Sequence, residues 1–241
     1  MNTNIGLERC VSFINANVGD APPHSYVGAA AQTAWFITLS RQGGCNAHGI
    51  AERIAELLPG SAGSGLPPWT VFDRNLVEEV LKDHHLPGQL REHMPEDRRS
   101  ELDDIIGEIF DLHPSSWTMA HKTSDTILRL ADRGRCIIIG RAANLVTSKL
   151  AHGLHVRLIG AFEARVERMQ KYEKVSPQQA RKLVREQDNA RARYVKKYFE
   201  TDIEAPEHYH LTLNVDCFNS EQTACLVADA LKLRMAAAGR G

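Results

Sequence analysis

The five cysteines, Cys10, Cys45, Cys136, Cys217 and Cys225, form no C-x-x-C pair and have no histidine nearby at zinc-ligand spacing. That rules out a zinc knuckle or a regular disulfide framework, and an odd, dispersed set suits a reducing compartment. Long apolar runs are lacking too: stretches such as Cys136 to Gly140 fall far short of the roughly 20 residues a membrane span needs. The first 30 residues contain no basic segment leading into an apolar one, so a secretory signal is not expected and a cytoplasmic setting is. Net charge is nearly absent, with Lys+Arg 29 against Asp+Glu 30. That removes the whole-chain argument for a nucleic-acid binder or a polybasic membrane protein, and any anionic ligand must be handled locally. No internal repeat is visible.

What is present is an ordinary globular composition. At 241 residues, 43% hydrophobic and 24% charged, the chain is long enough for one large α/β domain or two small ones. Residues 1 to 33 carry Gly, Pro, Asn and Ala with weak periodicity and read as a loosely ordered N-terminal extension. From Trp35 to Leu39 a β-rich run leads into the turn-prone Gln42 to Asn46, and Gly49 to Leu58 has helical spacing through Ile50, Ile54, Leu57 and Leu58. Gly60 to Pro68 reads as a flexible loop, and Thr70 to Phe72 as a short second strand. Between Asp73 and Asp111 twelve acidic residues face five basic ones. A helix is expected from about Ser116 to Arg133, with Ile127, Leu128 and Leu130 toward the core. Cys136 to Ile139, and Val156 to Ile159 within a mixed strand, suit a parallel sheet covered on both faces.

Further on, Phe162 to Tyr172 is a helix, and Ser176 caps another that begins at Pro177 and runs to about Glu200. Between Arg157 and Glu200 twelve basic residues face six acidic ones, so charge is segregated along the chain. Tyr209 to Asn214 reads as the last strand and Ser220 to Ala238 as a closing helix capped by Ser220.

A strand feeding a glycine-rich turn that opens a helix gathers backbone N–H groups at the positive helix end, which is the physics of a phosphate cradle. Gly43 to His48 would be that loop. The strict pattern G-x-x-x-x-G-K-[ST] is not met, since nothing between Ser40 and Gly49 supplies the lysine. A bare Gly-Gly turn also joins strand to helix with no ligand at all.

The run Ile37-Thr38-Leu39-Ser40-Arg41-Gln42-Gly43-Gly44-Cys45-Asn46-Ala47-His48-Gly49-Ile50-Ala51 resembles the opening of the cytidylate-kinase-like family. The similarity continues through Val71 to Val77, Ile137 to Asn144, His155 to Ile159 and Asp188 to Phe199, in order, covering about residues 35 to 235. The resemblance implies a P-loop NTPase-like, three-layer α/β/α fold with a five-stranded parallel sheet. A helical NMP-binding insertion at about 73–133 and a helical lid at about 163–200 would sit within a domain spanning 34–241. It implies transfer of the ATP γ-phosphoryl group to CMP or dCMP, with ATP and Mg²⁺ as cofactors, nucleotides as the partners, and neither nucleic acid nor membrane. Where the family has S-G-G-R, this chain has Cys45-Asn46-Ala47-His48. Asn46 tolerates the left-handed conformation the turn needs, but His48 cannot make the bidentate phosphate contact of a guanidinium. A catalytically impaired nucleotide-binding regulatory or scaffold protein on the same fold is therefore the alternative.

By resemblance, Ser40, Arg41, Gly43, Gly44, Cys45, Asn46, Ala47 and His48 would bind ATP phosphates. Arg41 either reaches a phosphate or braces the loop. Arg141, at the carboxyl end of an apolar strand where parallel sheets bind ligands, would hold the acceptor nucleotide together with Asp188 and Arg191. Those last two, three apart on one helix face, also suit a solvated ion pair. Arg165, Arg168 and Arg185 would be the catalytic lid arginines, against a plain solvated basic face. Cys45 reads either as a reactive thiol at a helix start or as an inert small residue. His84-His85 and His208 to His210 lack metal-ligand spacing, and no metal ligands are assigned.

Overall fold

The computed structural model describes residues 35–59, 68–73, 100, 102–107 and 118–239. The expected N-terminal extension, most of the Gly60 to Pro68 loop and most of the acidic 73–111 stretch lie outside the described residues. Five strands, β1 (Phe36–Arg41), β2 (Thr70–Phe72), β3 (Cys136–Ile139), β4 (Gly153–Ile159) and β5 (Leu211–Asn214), form one sheet in the order β2-β3-β1-β4-β5. Every pairing is parallel, with Ile37 beside Ile137 and Leu154, and Val156 beside Leu211. Helices among the described residues include α1 (Ala47–Leu57), α2 (Thr118–Arg133), the single turn α3 (Ala143–Val146), α4 (Phe162–Glu173), α5 (Pro177–Phe199) and α6 (Ser220–Ala238). This is the P-loop-like α/β/α architecture that the family resemblance implied, built on the parallel sheet that the continuous apolar runs called for.

The period of two in the strands divides the core into two layers. Ile37, Leu39, Ile137, Ile139, Leu154, Val156 and Leu158 face α1 and α6, where Ile50, Ile54, Val227 and Leu231 meet them. Phe36, Phe72, Cys136 and Ile138 face the other way, against Ile127, Leu128 and Leu130 of α2 and against Leu102 and Ile106. Truncating one such buried aliphatic side chain to alanine typically costs about 2–5 kcal/mol. β1 and β4 depart from this pattern on the second face, where Thr38 and Ser40 of β1 and His155 and Arg157 of β4 are all buried. They satisfy one another: Thr38 Oγ1 bonds His155 Nδ1 at 2.9 Å and Arg157 Nη1 donates to Ser40 Oγ at 2.9 Å.

α4 and α5 form a hairpin with its own small core of Val166, Met169, Ala180 and Val184. The α5 start matches the sequence expectation: Ser176 accepts the Gln179 N–H, and the Gln179 side chain accepts the Ser176 N–H in return. At α6 the expectation is corrected. The cap is Asn219, whose side chain accepts the Gln222 N–H, and Ser220 is the first helical residue. Two side chains that both cap well stood side by side in the sequence, and the Asn219–Gln222 box, with its reciprocal bond, takes the terminus.

Candidate active site

Neighbouring strands β1 and β4 send their connections in opposite directions, to β2 and β5, so a crevice opens at their carboxyl ends. The glycine-rich turn lies there. Gly44 sits at φ 82°, and a Cβ on it would overlap the Arg165 carbonyl oxygen, so the first turn of α4 presses directly on the loop. Asn46 is left-handed at φ 52°, ψ 38°, as its residue type allows. Helix α1 begins at Ala47, two residues before the first apolar spacing seen in the sequence, because Ala47 is already buried. Of the expected loop, Gly43 to Asn46 form the turn and Ala47 and His48 belong to the helix.

Asn46 does not cap α1. Its side chain makes no bond to the first turn and instead donates to Ser220 Oγ at 3.2 Å. A left-handed residue followed by helical ones turns the N–H groups of Asn46, Ala47 and His48 to one side, a concave nest suited to an anion. The first-turn N–H groups have no partner within the helix, and the helix dipole adds to the positive field there.

Around this nest the chain gathers arginines. Arg165, 6% exposed, donates Nε to Gly160 O at 2.8 Å, and Nη1 to Gly43 O at 3.0 Å and to Asp188 Oδ2 at 2.7 Å. Arg168 donates Nε to Gly44 O at 2.9 Å and Nη2 to Asp216 Oδ1 at 2.6 Å. Asp188 also accepts the Gly43 N–H at 2.6 Å and lies 3.7 Å from Arg191. Arg191 donates to Gln187 at 3.0 Å and reaches the Arg41 carbonyl at 3.4 Å. Burial lowers the Arg191 pKa, Asp188 opposes that, and the nearby cations Arg157 and Arg165 push in the same direction as burial. Thus Arg165, Arg168, Asp188 and Arg191 do come together at the loop. Arg185 does not join them: it is exposed and its guanidinium lies 5.1 Å from the Phe162 ring centroid.

Arg41 packs its guanidinium over Gly140, where a Cβ would overlap it, so this arginine touches the turn after β3. That turn holds three successive positive φ angles, at Gly140, Arg141 and Ala142. Two of them fall on residues with a Cβ, each at a cost of roughly 1–2 kcal/mol. The turn sets Arg141 over the Tyr194 ring at 5.9 Å. Arg157 was missed as a site residue. It is buried, paired with Ser40 and with Glu204 at 2.5 Å, stacked 5.5 Å from the Tyr209 ring, and its Nε meets no acceptor. The readable signal was a lone charge inside a buried strand, which has to be paired. Asp216 carried no such signal. Burial raises its pKa, but the Ala161 N–H and Arg168 outweigh it and hold the carboxyl below its ordinary value.

His48 points elsewhere. It is 65% exposed, with Nε2 3.9 Å from Glu52 and Nδ1 4.0 Å from Asp73. Cys45 is buried, and desolvation pushes its thiol up to about 11 against the opposing pull of Arg165 and Arg168, which favours the inert reading. For Mg²⁺ the protein donors are few, and no cluster of three metal-ligating side chains exists among the described residues. Mg²⁺ typically takes one or two carboxylates and otherwise phosphate oxygens and water, and Asp73, which follows β2 and lies 4.0 Å from the His48 ring at the start of α1, is a carboxylate of that kind.

A model of the cytidylate kinase-like family matches residues 36–217, most of the chain and all five strands. The chain belongs to the cytidylate kinase-like family. As a family member with this fold it is a nucleotide kinase-like protein. Among solved structures, an uncharacterized protein from Eubacterium ventriosum superposes with a TM-score of 0.63 at 16% identity, over 82% of this chain and 98% of that one. The likeness concerns the fold. A gluconokinase from Sinorhizobium meliloti aligns over 84% of this chain and 98% of that one at 13% identity, with a TM-score of 0.38, too loose a superposition to carry an argument. Among curated proteins no match is found. No described helix is long and apolar enough to cross a membrane.

Proposed function

We propose that this chain transfers the γ-phosphoryl group of ATP to CMP or dCMP in the cytoplasm. The observation that carries the reading is the uncapped start of α1 behind left-handed Asn46, at the carboxyl ends of strands where Arg41, Arg141, Arg157, Arg165, Arg168 and Arg191 gather. Phosphoryl transfer asks chiefly for alignment and for neutralisation of charge on the moving group. N–H groups of Asn46, Ala47 and His48 would hold phosphate oxygens, with Ser40, Arg41 and the Gly43 to Cys45 turn shaping the cradle. Arg141, Asp188 and Arg191 would hold the acceptor, Asp188 and Arg191 from a lid at about 163–200, with an NMP-binding insertion at about 73–133 completing its site. Bound Mg²⁺ would supply further charge neutralisation at the phosphates. No residue is required as a strong base.

The test is ADP release with ATP, Mg²⁺ and each NMP and dNMP in turn. Turnover confined to CMP or dCMP is the expected result, and no turnover with any acceptor at high enzyme concentration overturns it. The second reading, a binding protein that has lost turnover, is favoured by one observation: His48 is turned to Glu52 and Asp73, at the position where the family carries an arginine. It predicts thermal stabilisation by nucleotides without product. Activity gained by His48→Arg would mark a recently eroded kinase.

A further inference from the structure

Arg165 and Arg168 grip the loop by its carbonyl oxygens. Each carbonyl shares a rigid trans peptide plane with the next N–H, which points the opposite way. The Gly43 carbonyl, held by Arg165, is therefore tied to the Gly44 N–H, and the Gly44 carbonyl, held by Arg168, to the Cys45 N–H. The grip is tight on both sides. Gly44 has no room for a Cβ against α4, and Arg168 is itself fixed by Asp216, whose other oxygen accepts the Ala161 N–H at 2.5 Å. Arg165 is likewise fixed by Asp188 and the Gly160 carbonyl. The hydrogen bonds of these two guanidiniums run to the loop backbone, to the Gly160 carbonyl and to the carboxylates of Asp188 and Asp216. Their positive charge is nonetheless felt in the loop, since both lower the Cys45 pKa against its burial.

We propose that Arg165 and Arg168 are positioning residues that fix and polarise the phosphate loop from behind, through the Gly43 and Gly44 carbonyls, rather than lid fingers that touch phosphate. Resting on the phosphate-binding reading above, this gives the loop cationic support that does not come from residue 48. A guanidinium on the carbonyl end of a peptide polarises the N–H at its other end, here those of Gly44 and Cys45, and fixes the backbone that leads directly into the Asn46 to His48 nest. The ligand it serves is a polyphosphate chain.

The test is NMR titration of the full chain with inorganic triphosphate, reading loop amides and arginine Nε–H resonances, in wild type, Arg168→Ala and Arg168→Lys. In wild type the amides of Asn46, Ala47 and His48 are expected to shift and saturate while the Arg168 Nε–H stays in place on its carbonyl. Arg168→Ala should move the Cys45 amide before any ligand is added and weaken triphosphate binding about tenfold. Arg168→Lys, which can donate to the Gly44 carbonyl but not also span to Asp216, should recover part of that loss. An Arg168 Nε–H that shifts in step with saturation, or an alanine variant that binds like wild type, overturns the proposal while leaving the functional reading standing. Failure of wild type to bind either triphosphate or ATP overturns both. Asp216→Asn covers the case of an unfolded alanine variant: it leaves the Gly44 contact in place, and a two- to threefold weakening supports the clamp, whereas unchanged binding counts against it.

Discussion

Cys45 shows how a single position changes meaning between sequence and structure. A cysteine beside a helix start reads as an activated thiolate on charge grounds alone. Here its side chain points into the layer under α1, and burial outweighs the two arginines. The native protein is therefore expected to leave Cys45 unmodified by iodoacetamide at pH 7.5 while exposed Cys217 is alkylated, as peptide mass spectrometry would show. Equal labelling of both would mean that the loop opens in solution. Asn46 was legible in advance, because its residue type accepts left-handed geometry. The direction of His48 was not, since the carboxylates that draw it come from one turn along its own helix and from the end of β2.

At the scale of elements, the termini discriminate more finely than periodicity can. Asn219→Ala removes an acceptor from the first turn of α6 and should cost about 1 kcal/mol in urea unfolding, the usual value of such a cap. Ser220→Ala removes only the exposed Asn46 contact and should cost a few tenths at most. A reversal of that order would restore Ser220 as the cap. The strands were legible because apolar runs such as Cys136 to Ile139 are buried on both faces and leave little choice of environment. The start of α5 was legible from Ser176-Pro177. What could not be read was which face of α4 meets the loop. Arg165 and Arg168 share a face in any helix, but only the packing of Gly44 against Arg165 tells that this face looks at backbone carbonyls.

Across the whole molecule, net charge near zero hides a strong local imbalance at the carboxyl edge of the sheet. Buried polar groups on the second face of β4 add a different vulnerability. His155 is held down to about 3, chiefly by burial and then by repulsion from His210 and Arg234, and burial with Arg234 lowers His210 as well. The two rings stack at 4.8 Å, and His210 Nδ1 accepts the His155 N–H at 2.8 Å, a bond that a protonated Nδ1 cannot make. In the unfolded chain both imidazoles titrate near 6.5. Between about pH 6.5 and 3 the unfolded state therefore binds more protons than the native one, and stability falls as pH falls. The slope reaches at most about 1.4 kcal/mol per pH unit for each proton taken up. Asp216 acts in the same direction at the acid end, since its depressed carboxyl stabilises the fold only while ionised. Urea midpoints measured at pH 7.0, 5.5 and 4.5 should drop in that order. His155→Gln, which keeps a polar partner for Thr38 and cannot be protonated, should be less stable at pH 7 but flatter below it. If the variant and wild-type profiles ran parallel from pH 7 to 4.5, the acid sensitivity would have to come from carboxylates alone.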